Sequence, residues 1–199
     1  MNVIVFDYGA GNLHSLVKAL AGKPGTVVRV ESDLAAAVRG DALVLPGVGA
    51  FGAAAARLAS GADAVRRAAE QGLPILGICL GMQLLFDRSE EGKGEGLGLI
   101  AGCVTAIRAS RVPQIGWNTL DEPDDPLLAR SRLSVAYYAN GFVCRPDDDT
   151  CVRAWSEHGK DRFPALVRRR RVVGTQFHPE KSSAPGVALV HAFLDEAAQ

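Results

Sequence analysis

Apolar or β-branched runs alternate with helix-like segments along the first half of this 199-residue chain. The runs lie at residues 3–6, 26–30, 42–45 and 74–78, and helical spacing is found at 13–20, 34–38, 51–70 (with a break at Gly61) and 80–86. Strands that are apolar on both faces and separated by helices are typical of a parallel sheet with helices on both sides. The first half therefore predicts an α/β fold with a mainly parallel central sheet flanked by helices.

The pattern changes after Gly92. Short β-rich pieces separated by turn residues follow at 103–107, 134–138, 141–144, 151–155 and 165–168, then a strand at 172–177 and a last helix at 185–197. Such pieces indicate antiparallel β additions in the second half, at the sheet edge or in a second small sheet. Because neither a repeat nor a linker-like segment interrupts the sequence, we expect residues 1–199 to form a single domain.

Composition excludes several kinds of protein. Lys and Arg together number 22, as do Asp and Glu, and the net charge of zero argues against a strongly basic nucleic-acid binder. The most apolar stretch, 42–59, contains Pro46 and Arg57 and is not expected to span a membrane. The N-terminal segment MNVIVFDYGAGN lacks the basic start of a signal peptide, so we expect a cytoplasmic protein.

The four cysteines, Cys79, Cys103, Cys144 and Cys151, form no C-x-x-C pair, and the four histidines are scattered. Zinc sites need clustered Cys and His ligands, and disulfide frameworks are typical of small exported chains. We therefore expect no metal, no disulfide and no other cofactor. Three of the cysteines are expected to be small buried hydrophobes, whereas Cys79 lies in a different setting.

Cys79 is flanked by glycines in Gly77-Ile78-Cys79-Leu80-Gly81, where a predicted strand passes into a predicted helix. Glycines on both sides allow a sharp turn with close backbone approach, which is the arrangement of a nucleophile elbow. Such a turn presents the sulfur at the carboxyl end of the sheet, with the N–H of Leu80 as an oxyanion donor. A buried core cysteine at a tight turn explains these residues equally well at this point.

The tripeptide His178-Pro179-Glu180 follows the predicted strand 172–177. The proline favours an extended conformation at His178, and residues two apart in an extended segment face the same side. Glu180 can then bind one ring nitrogen of His178 while the other faces a nucleophile, as a triad of thiol, imidazole and carboxylate requires. A loop histidine beside a solvated glutamate is the alternative, and the elbow cysteine favours the triad.

Two glycine-containing loops follow other predicted strands. In PGVGAF, residues 46–51, Gly47 and Gly49 allow backbone N–H groups to turn towards the site as a second oxyanion donor, with an ordinary strand-to-helix turn as the alternative. In GAGN, residues 9–12, the glycines and the later Glu31 suggest a dinucleotide fingerprint, but a histidine occupies the position of the third glycine. We therefore expect the second loop to be used for contacts.

Together the segments GICLGMQ, PGVGAF and GTQFHPEKS resemble the class I, triad-type glutamine amidotransferases. The resemblance extends over essentially the whole chain and implies a flavodoxin-like fold and hydrolysis of glutamine to glutamate and ammonia. It implies that Cys79 is the nucleophile, His178 the general base and Glu180 the residue that orients His178. It also implies a set of oxyanion and substrate-binding residues: Gly47, Val48, Gly49, Leu80, Gln83, Asn140 and Gly141.

The segments DYGAGN, VPQIGWN and HPEKS narrow the resemblance to glutaminase subunits of histidine biosynthesis. Membership of that group implies a heterodimer in which ammonia passes to a (βα)8-barrel cyclase subunit. The resemblance places five residues at or near the interface: Asn12, Trp117, Asn118, Tyr138 and Lys181. Trp117 and Tyr138 suit interface anchors, with a core aromatic as the alternative for each.

Two segments depart from the commonest pattern of the family. The segment before Gly-Trp-Asn usually reads Val-Pro-His, and Gln114 here takes the place of the histidine. Residues 138–142 replace the usual Phe-Val-His-Ser-Tyr. Asn140 can still donate and accept hydrogen bonds, whereas Gly141 offers only its backbone. Because the resemblance implies that this region lines the glutamine pocket, we expect substrate binding to differ in detail.

Three alternatives remain open on the sequence alone. A glutaminase of another synthase, making anthranilate, carbamoyl phosphate or pyridoxal phosphate, would use the same chemistry at Cys79. A dinucleotide-binding protein would leave GICLG and HPE unexplained, and a silent scaffold subunit would leave the intact triad unexplained. The basic run 168–171 and the acidic run 147–149 are expected to be exposed turns, with the arginines facing away from Cys79.

Overall fold

Strands and helices alternate up to residue 83, and strands predominate after it. The computed structural model describes residues 1–9, 11 and 13–199. Its strands are β1 (Asn2–Phe6), β2 (Val27–Glu31), β3 (Ala42–Leu45), β4 (Ile75–Ile78), β5 (Arg88–Ser89), β6 (Gly102–Ala106), β7 (Gln114–Thr119), β8 (Val135–Asn140), β9 (Phe142–Pro146), β10 (Val152–His158), β11 (Asp161–Arg169) and β12 (Val172–Thr175). Its helices are α1 (His14–Ala21), α2 (Leu34–Ala37), α3 (Phe51–Leu58), α4 (Ala62–Glu70), α5 (Leu80–Gln83), α6 (Pro126–Ser131) and α7 (Ser183–Ala197).

The described residues form a seven-stranded main sheet in the order β10-β11-β12-β4-β3-β1-β2. β12, β4, β3, β1 and β2 run parallel to one another, and β11 and β10 are added antiparallel at the edge. Counted along the chain, the parallel strands have the order 2-1-3-4-5 of flavodoxin-like folds. The predicted fold class is therefore confirmed, and the carboxyl ends of β3, β4 and β12 lie side by side.

The main sheet is buried on both faces, which explains the apolar character of its central strands. Along β3, Ala42 and Val44 belong to one core, whereas Leu43 and Leu45 belong to the other. Helices α1 and α7 supply side chains to the first core, and α3 and α4 supply the second. Full burial of a Val or Leu side chain contributes roughly 1.5–3 kcal/mol, so β3 stabilises both layers.

Two predicted helices show how tertiary contacts set helix ends. The break expected at Gly61 is confirmed, and a Cβ added there would overlap Leu34 of α2. The helix expected over 80–86 ends instead at Gln83. Beyond it, the carbonyl of Leu84 accepts a hydrogen bond of 2.7 Å from the N–H of Leu97, so the chain turns to pair with a distant segment. In the described part of the chain, no helix has the length and apolarity that crossing a membrane requires.

The second half adds two small sheets to the described structure. β5, β6 and β9 form a three-stranded sheet, and β7 and β8 form a two-stranded one, here called the ribbon. The β-rich pieces predicted from the sequence correspond to β6, β8, β9, β10 and β11. β5, β7 and α6 were not predicted. The antiparallel additions expected in this half are therefore confirmed.

The arginine run 168–171 lies at the junction of β11 and β12. Because β12 is parallel to β4, its first residue lies at the end of the sheet opposite Cys79, as expected. The expectation of an exposed turn is wrong for Arg168, whose side chain is only 17% exposed and binds a fully buried carboxylate, that of Asp125. Two hydrogen bonds, of 2.6 and 2.9 Å, join the guanidinium to Asp125. Arg168 therefore connects β11 with the start of α6 inside the protein.

Candidate active site

Cys79 occupies a strained turn between β4 and α5. Its φ of 47° lies in the left-handed region that non-glycine residues seldom adopt. A Cβ at Gly77 would lie 2.5 Å from the carbonyl oxygen of Gly81, and a Cβ at Gly81 would overlap the carbonyl oxygen of Leu45. Both glycines are thus needed for α5 to approach β3 and β4. The Cys79 N–H donates to the Thr175 carbonyl at 2.6 Å, which fixes the turn to the end of β12.

His178 follows β12 and faces Cys79. Its side chain is 5% exposed, and Nδ1 lies 2.9 Å from Oε1 of Glu180, which is itself 8% exposed. Burial lowers the pKa of His178, but hydrogen bonds with Cys79 and Glu180 outweigh burial and raise the pKa from 6.5 to about 9. The structure therefore brings together the three side chains that the sequence suggested as a triad. The raised pKa favours the imidazolium form of His178 at neutral pH.

The loop after β3 packs directly against this group. A Cβ added at Gly47 would lie 2.8 Å from Cε1 of His178 and 2.9 Å from Cβ of Cys79, so the bare Cα of Gly47 fills the space beside both. Gly49 has a φ of 99°, which a side chain would strain. A Cβ at Gly11 would overlap the side chain of Val48, so Gly11, in the loop after β1, lies against the loop after β3.

Two amide side chains meet at one carbonyl group near α5. Nε2 of Gln83 and Nδ2 of Asn140 donate to the carbonyl oxygen of Phe142, at 3.2 and 3.1 Å. Gln114 is the cross-strand partner of Asn140 in the ribbon, and both are buried. Gly141 lies between Asn140 and Phe142 in the sequence. The predicted pocket residues on α5 and the ribbon are therefore neighbours.

The two aromatic residues proposed for the interface differ in position. Trp117 is 55% exposed on β7, as a contact residue should be. Tyr138 is fully buried and its hydroxyl is hydrogen-bonded to Ser156, which fits the alternative of a core aromatic. Successive residues of a strand face opposite sides, and it is Tyr137 that faces outward, edge-on to Trp117 with ring centroids 6.1 Å apart. In the register of the ribbon, Trp117 is paired with Tyr137 and not with Tyr138, and this pairing distinguishes the two tyrosines.

Three further residues were predicted at or near the interface: Asn118, Lys181 and Asn12. The side chain of Asn118 donates to the Glu157 carbonyl at 2.8 Å and so joins the ribbon to β10. Lys181 is exposed in the single turn that follows His178. Asn12 lies outside the described residues.

Sequence reasoning missed Ser182, which joins the histidine to the ribbon. The N–H of His178 donates to the Tyr137 carbonyl at 2.8 Å, and the N–H of Tyr137 donates to Oγ of Ser182 at 2.9 Å. The Ser182 hydroxyl in turn donates to the His178 carbonyl at 2.7 Å. This closed set of bonds fixes the backbone of the base to β8. No local sequence signal announces it, because the partner strand is distant in the chain.

Comparison with known proteins agrees with this geometry. A structure described as a crystal structure of glutamine amidotransferase has the same fold, with a TM-score of 0.73 at 21% identity over 98% of this chain and 99% of that one. The family model for glutamine amidotransferase class-I matches residues 4–197. The chain therefore belongs to the class-I glutamine amidotransferases.

Curated relatives define the group within the family. The HisH subunit of imidazole glycerol phosphate synthase from Geobacillus thermodenitrificans is 44% identical over 96% of this chain and 93% of its own length. The corresponding subunit from Synechococcus sp. is 39% identical over 98% and 94%. The chain belongs with these HisH subunits, which favours histidine biosynthesis over the other synthases considered above.

Proposed function

We propose that this chain hydrolyses the side-chain amide of glutamine with Cys79, His178 and Glu180 and delivers the ammonia to a (βα)8-barrel cyclase, HisF. The observation that carries the proposal is the convergence of these three side chains at the carboxyl ends of β4 and β12. His178 lies within hydrogen-bonding distance of Glu180, and Gly47 packs against His178 and Cys79 together. Nucleophile, base and orienting carboxylate are the parts that amide hydrolysis through a thioester requires.

The reaction follows from the order of the three groups. The Cys79 sulfur attacks the amide carbon while His178 holds the thiol proton and Glu180 stabilises the imidazolium. His178 then protonates the departing nitrogen, the C–N bond breaks, and ammonia leaves a glutamyl thioester. Water, deprotonated by His178, attacks the thioester; the C–S bond breaks and glutamate is released.

The pocket residues have separate roles in the proposal. The N–H of Leu80, in the first turn of α5, and an N–H of Val48 or Gly49 in the loop after β3 would hold the oxyanion. Loss of one such donor costs on the order of 100- to 1000-fold in rate. The amino-acid end of glutamine would be bound by the polar groups near α5 and the ribbon, from Gln83, Asn140 and the backbone of Gly141.

The outer face of the ribbon supports the proposed partner. Ile115, Trp117 and Val135 are 68%, 55% and 41% exposed there, and all three point outward. Contiguous exposed apolar side chains mark protein contacts, and tryptophan is a common anchor of such contacts. We place HisF on this face, with Lys181 near its rim, in a cytoplasmic heterodimer. Asn12, outside the described residues, stays an interface prediction. The ammonia would there yield imidazole glycerol phosphate and aminoimidazole carboxamide ribonucleotide.

The decisive experiment measures glutamate release from glutamine by the chain alone and with HisF and its phosphoribulosyl-formimino ribonucleotide ligand. We expect strong stimulation by both together, and loss of activity in Cys79→Ala. Activity that survives Cys79→Ala would refute the triad, and activity that ignores HisF would refute the partner.

A pair of matched valine variants tests the docking face. Val135 lies on the ribbon, whereas Val27 lies on β2 at the far edge of the main sheet and is 52% exposed. We expect Val135→Asp to abolish stimulation by HisF and Val27→Asp to leave it intact. Equal stimulation of the two variants would contradict the proposed surface.

A further inference from the structure

Gln176 contacts the sulfur of Cys79 from the segment that leads to His178. Its side chain is fully buried, and its amide Nε2 lies 3.7 Å from Sγ of Cys79. Gln176 and His178 both lie in the short segment that follows β12, and Gly47 packs against His178 and Cys79 together. The sulfur is therefore approached by two nitrogen donors from one stretch of backbone.

The burial of this amide needs a physical reason. Its carbonyl oxygen, Oε1, has no hydrogen-bond partner among the described residues, and an unsatisfied buried polar atom is destabilising. A leucine of similar size would fill the same space without that cost. Within the described residues, the hydrogen bond to Sγ of Cys79 is the one that the side chain makes. The polar character of Gln176 is thus directed at the nucleophile.

A hydrogen bond from an amide N–H stabilises the thiolate form of a cysteine more than the thiol form. A thiolate accepts hydrogen bonds only, and a bond from a neutral donor to a charged acceptor is stronger than one between neutral groups. We propose that Gln176 is a second hydrogen-bond donor to the Cys79 thiolate, in addition to His178. The inference rests on the proposed function, because it gives Gln176 a part in the same reaction. Gln176 contacts the reacting sulfur of Cys79 and would be a catalytic residue with a role separate from that of His178.

The donor acts twice in the reaction. In the resting enzyme it stabilises the thiolate that attacks glutamine. When water attacks the thioester, the C–S bond breaks and its electron pair returns to sulfur, so the same N–H stabilises the leaving thiolate. In the thioester the sulfur carries no charge and the bond is weaker. Gln176 therefore favours the charged states at both ends of the cycle.

The test is the pH dependence of Cys79 alkylation by iodoacetamide, read from the Cys79 peptide by mass spectrometry. We expect Gln176→Leu to move the midpoint up by about one pH unit, which corresponds to a tenfold weaker preference for the thiolate over the thiol. Gln176→Glu keeps the shape of the side chain but places a carboxylate beside the sulfur, and should move the midpoint of alkylation further up. Gln114→Leu is the matched control, because Gln114 is also buried with an unpartnered amide oxygen and has no described contact with the sulfur. We expect its midpoint to equal that of the natural chain.

The melting temperature of each variant establishes that it is folded, and the unbranched Gln176→Met replaces Gln176→Leu if that variant does not fold. Folded Gln176 variants with an unchanged midpoint would overturn the inference. An equal shift in Gln114→Leu would overturn it as well, since the effect would then be general. Failure of the proposed function is seen separately, as absent glutamate release by the natural chain, and leaves the alkylation result readable.

Discussion

The position of Gly47 between the cysteine and the histidine allows a quantitative prediction for Gly47→Ala. The new Cβ would lie 2.8 Å from Cε1 of His178, 2.8 Å from the carbonyl oxygen of Ile78 and 2.9 Å from Cβ of Cys79. Nonbonded carbon atoms rest about 3.5–4.0 Å apart, so the two side-chain carbons must move by roughly 0.6–1.2 Å. Ile78 is held in β4, and the displacement should therefore fall mainly on the two side chains of the site.

The expected losses of rate and stability are very different. A misplacement of about 1 Å in a catalytic group can lower the rate on the order of 100-fold. Overpacking of this kind costs about 1–3 kcal/mol of the free energy of unfolding. At about 2–4 °C per kcal/mol for a domain of this size, the melting temperature should fall by roughly 2–12 °C. Gly47→Ala should thus be folded and nearly inactive.

Glutamate release with HisF and its nucleotide ligand gives the rate, and circular dichroism on heating gives the melting temperature. Gly22→Ala is the control, because a Cβ there would meet no heavy atom closer than 3.4 Å among the described residues. We expect it to match the natural chain in both measurements. A folded Gly47→Ala with the natural rate would refute the reasoning, since the two contacts would then have no influence on the site.

Three further predictions concern stability and pH. Arg168→Met leaves the carboxylate of Asp125 buried and unpaired, and should lower the free energy of unfolding in urea by about 3–5 kcal/mol; a loss under about 1 kcal/mol would show that the pair is dispensable. Tyr138→Phe removes one buried hydrogen bond and should cost about 1 kcal/mol in the same assay while the affinity for HisF, measured by calorimetry, is unchanged; weakened binding would return Tyr138 to the interface. The pKa of His178 is raised from 6.5 to about 9, so its protonation contributes stability that is complete below pH 6.5 and lost as pH rises through about 9. In Glu180→Gln this loss, measured as unfolding free energy against pH, should shrink, and an unaltered pH profile would contradict the role given to Glu180.

The parallel half of the fold was predictable because its signal is local. Each residue of β3 is buried, and a run that is apolar on both faces has few other places in a globular fold. β7 lacks such a signal, since QIGWNT carries polar residues and glycine, and it becomes a strand by pairing with β8. α6 buries apolar side chains only at the adjacent Leu127 and Leu128, so its six residues show no buried apolar spacing of three or four.

The candidate site divides in the same way. The elbow glycines, Cys79 and the His178–Glu180 pair depend on spacing within a few residues, so the sequence located them. The choice between Tyr137 and Tyr138 depends on the register of the ribbon, and the internal position of Arg168 depends on the distant Asp125. Neither is encoded nearby in the chain.

The nucleophile and the base are anchored to different sheets. The backbone N–H of Cys79 is bonded to Thr175 in the main sheet, whereas that of His178 is bonded to Tyr137 in the ribbon. A sheet of two strands is marginally stable by itself, and local opening begins in elements with few buried contacts. On warming, glutamine hydrolysis should therefore fail while the main sheet is still intact. The temperature at which the rate falls would then report the opening of the ribbon, not the unfolding of the whole chain.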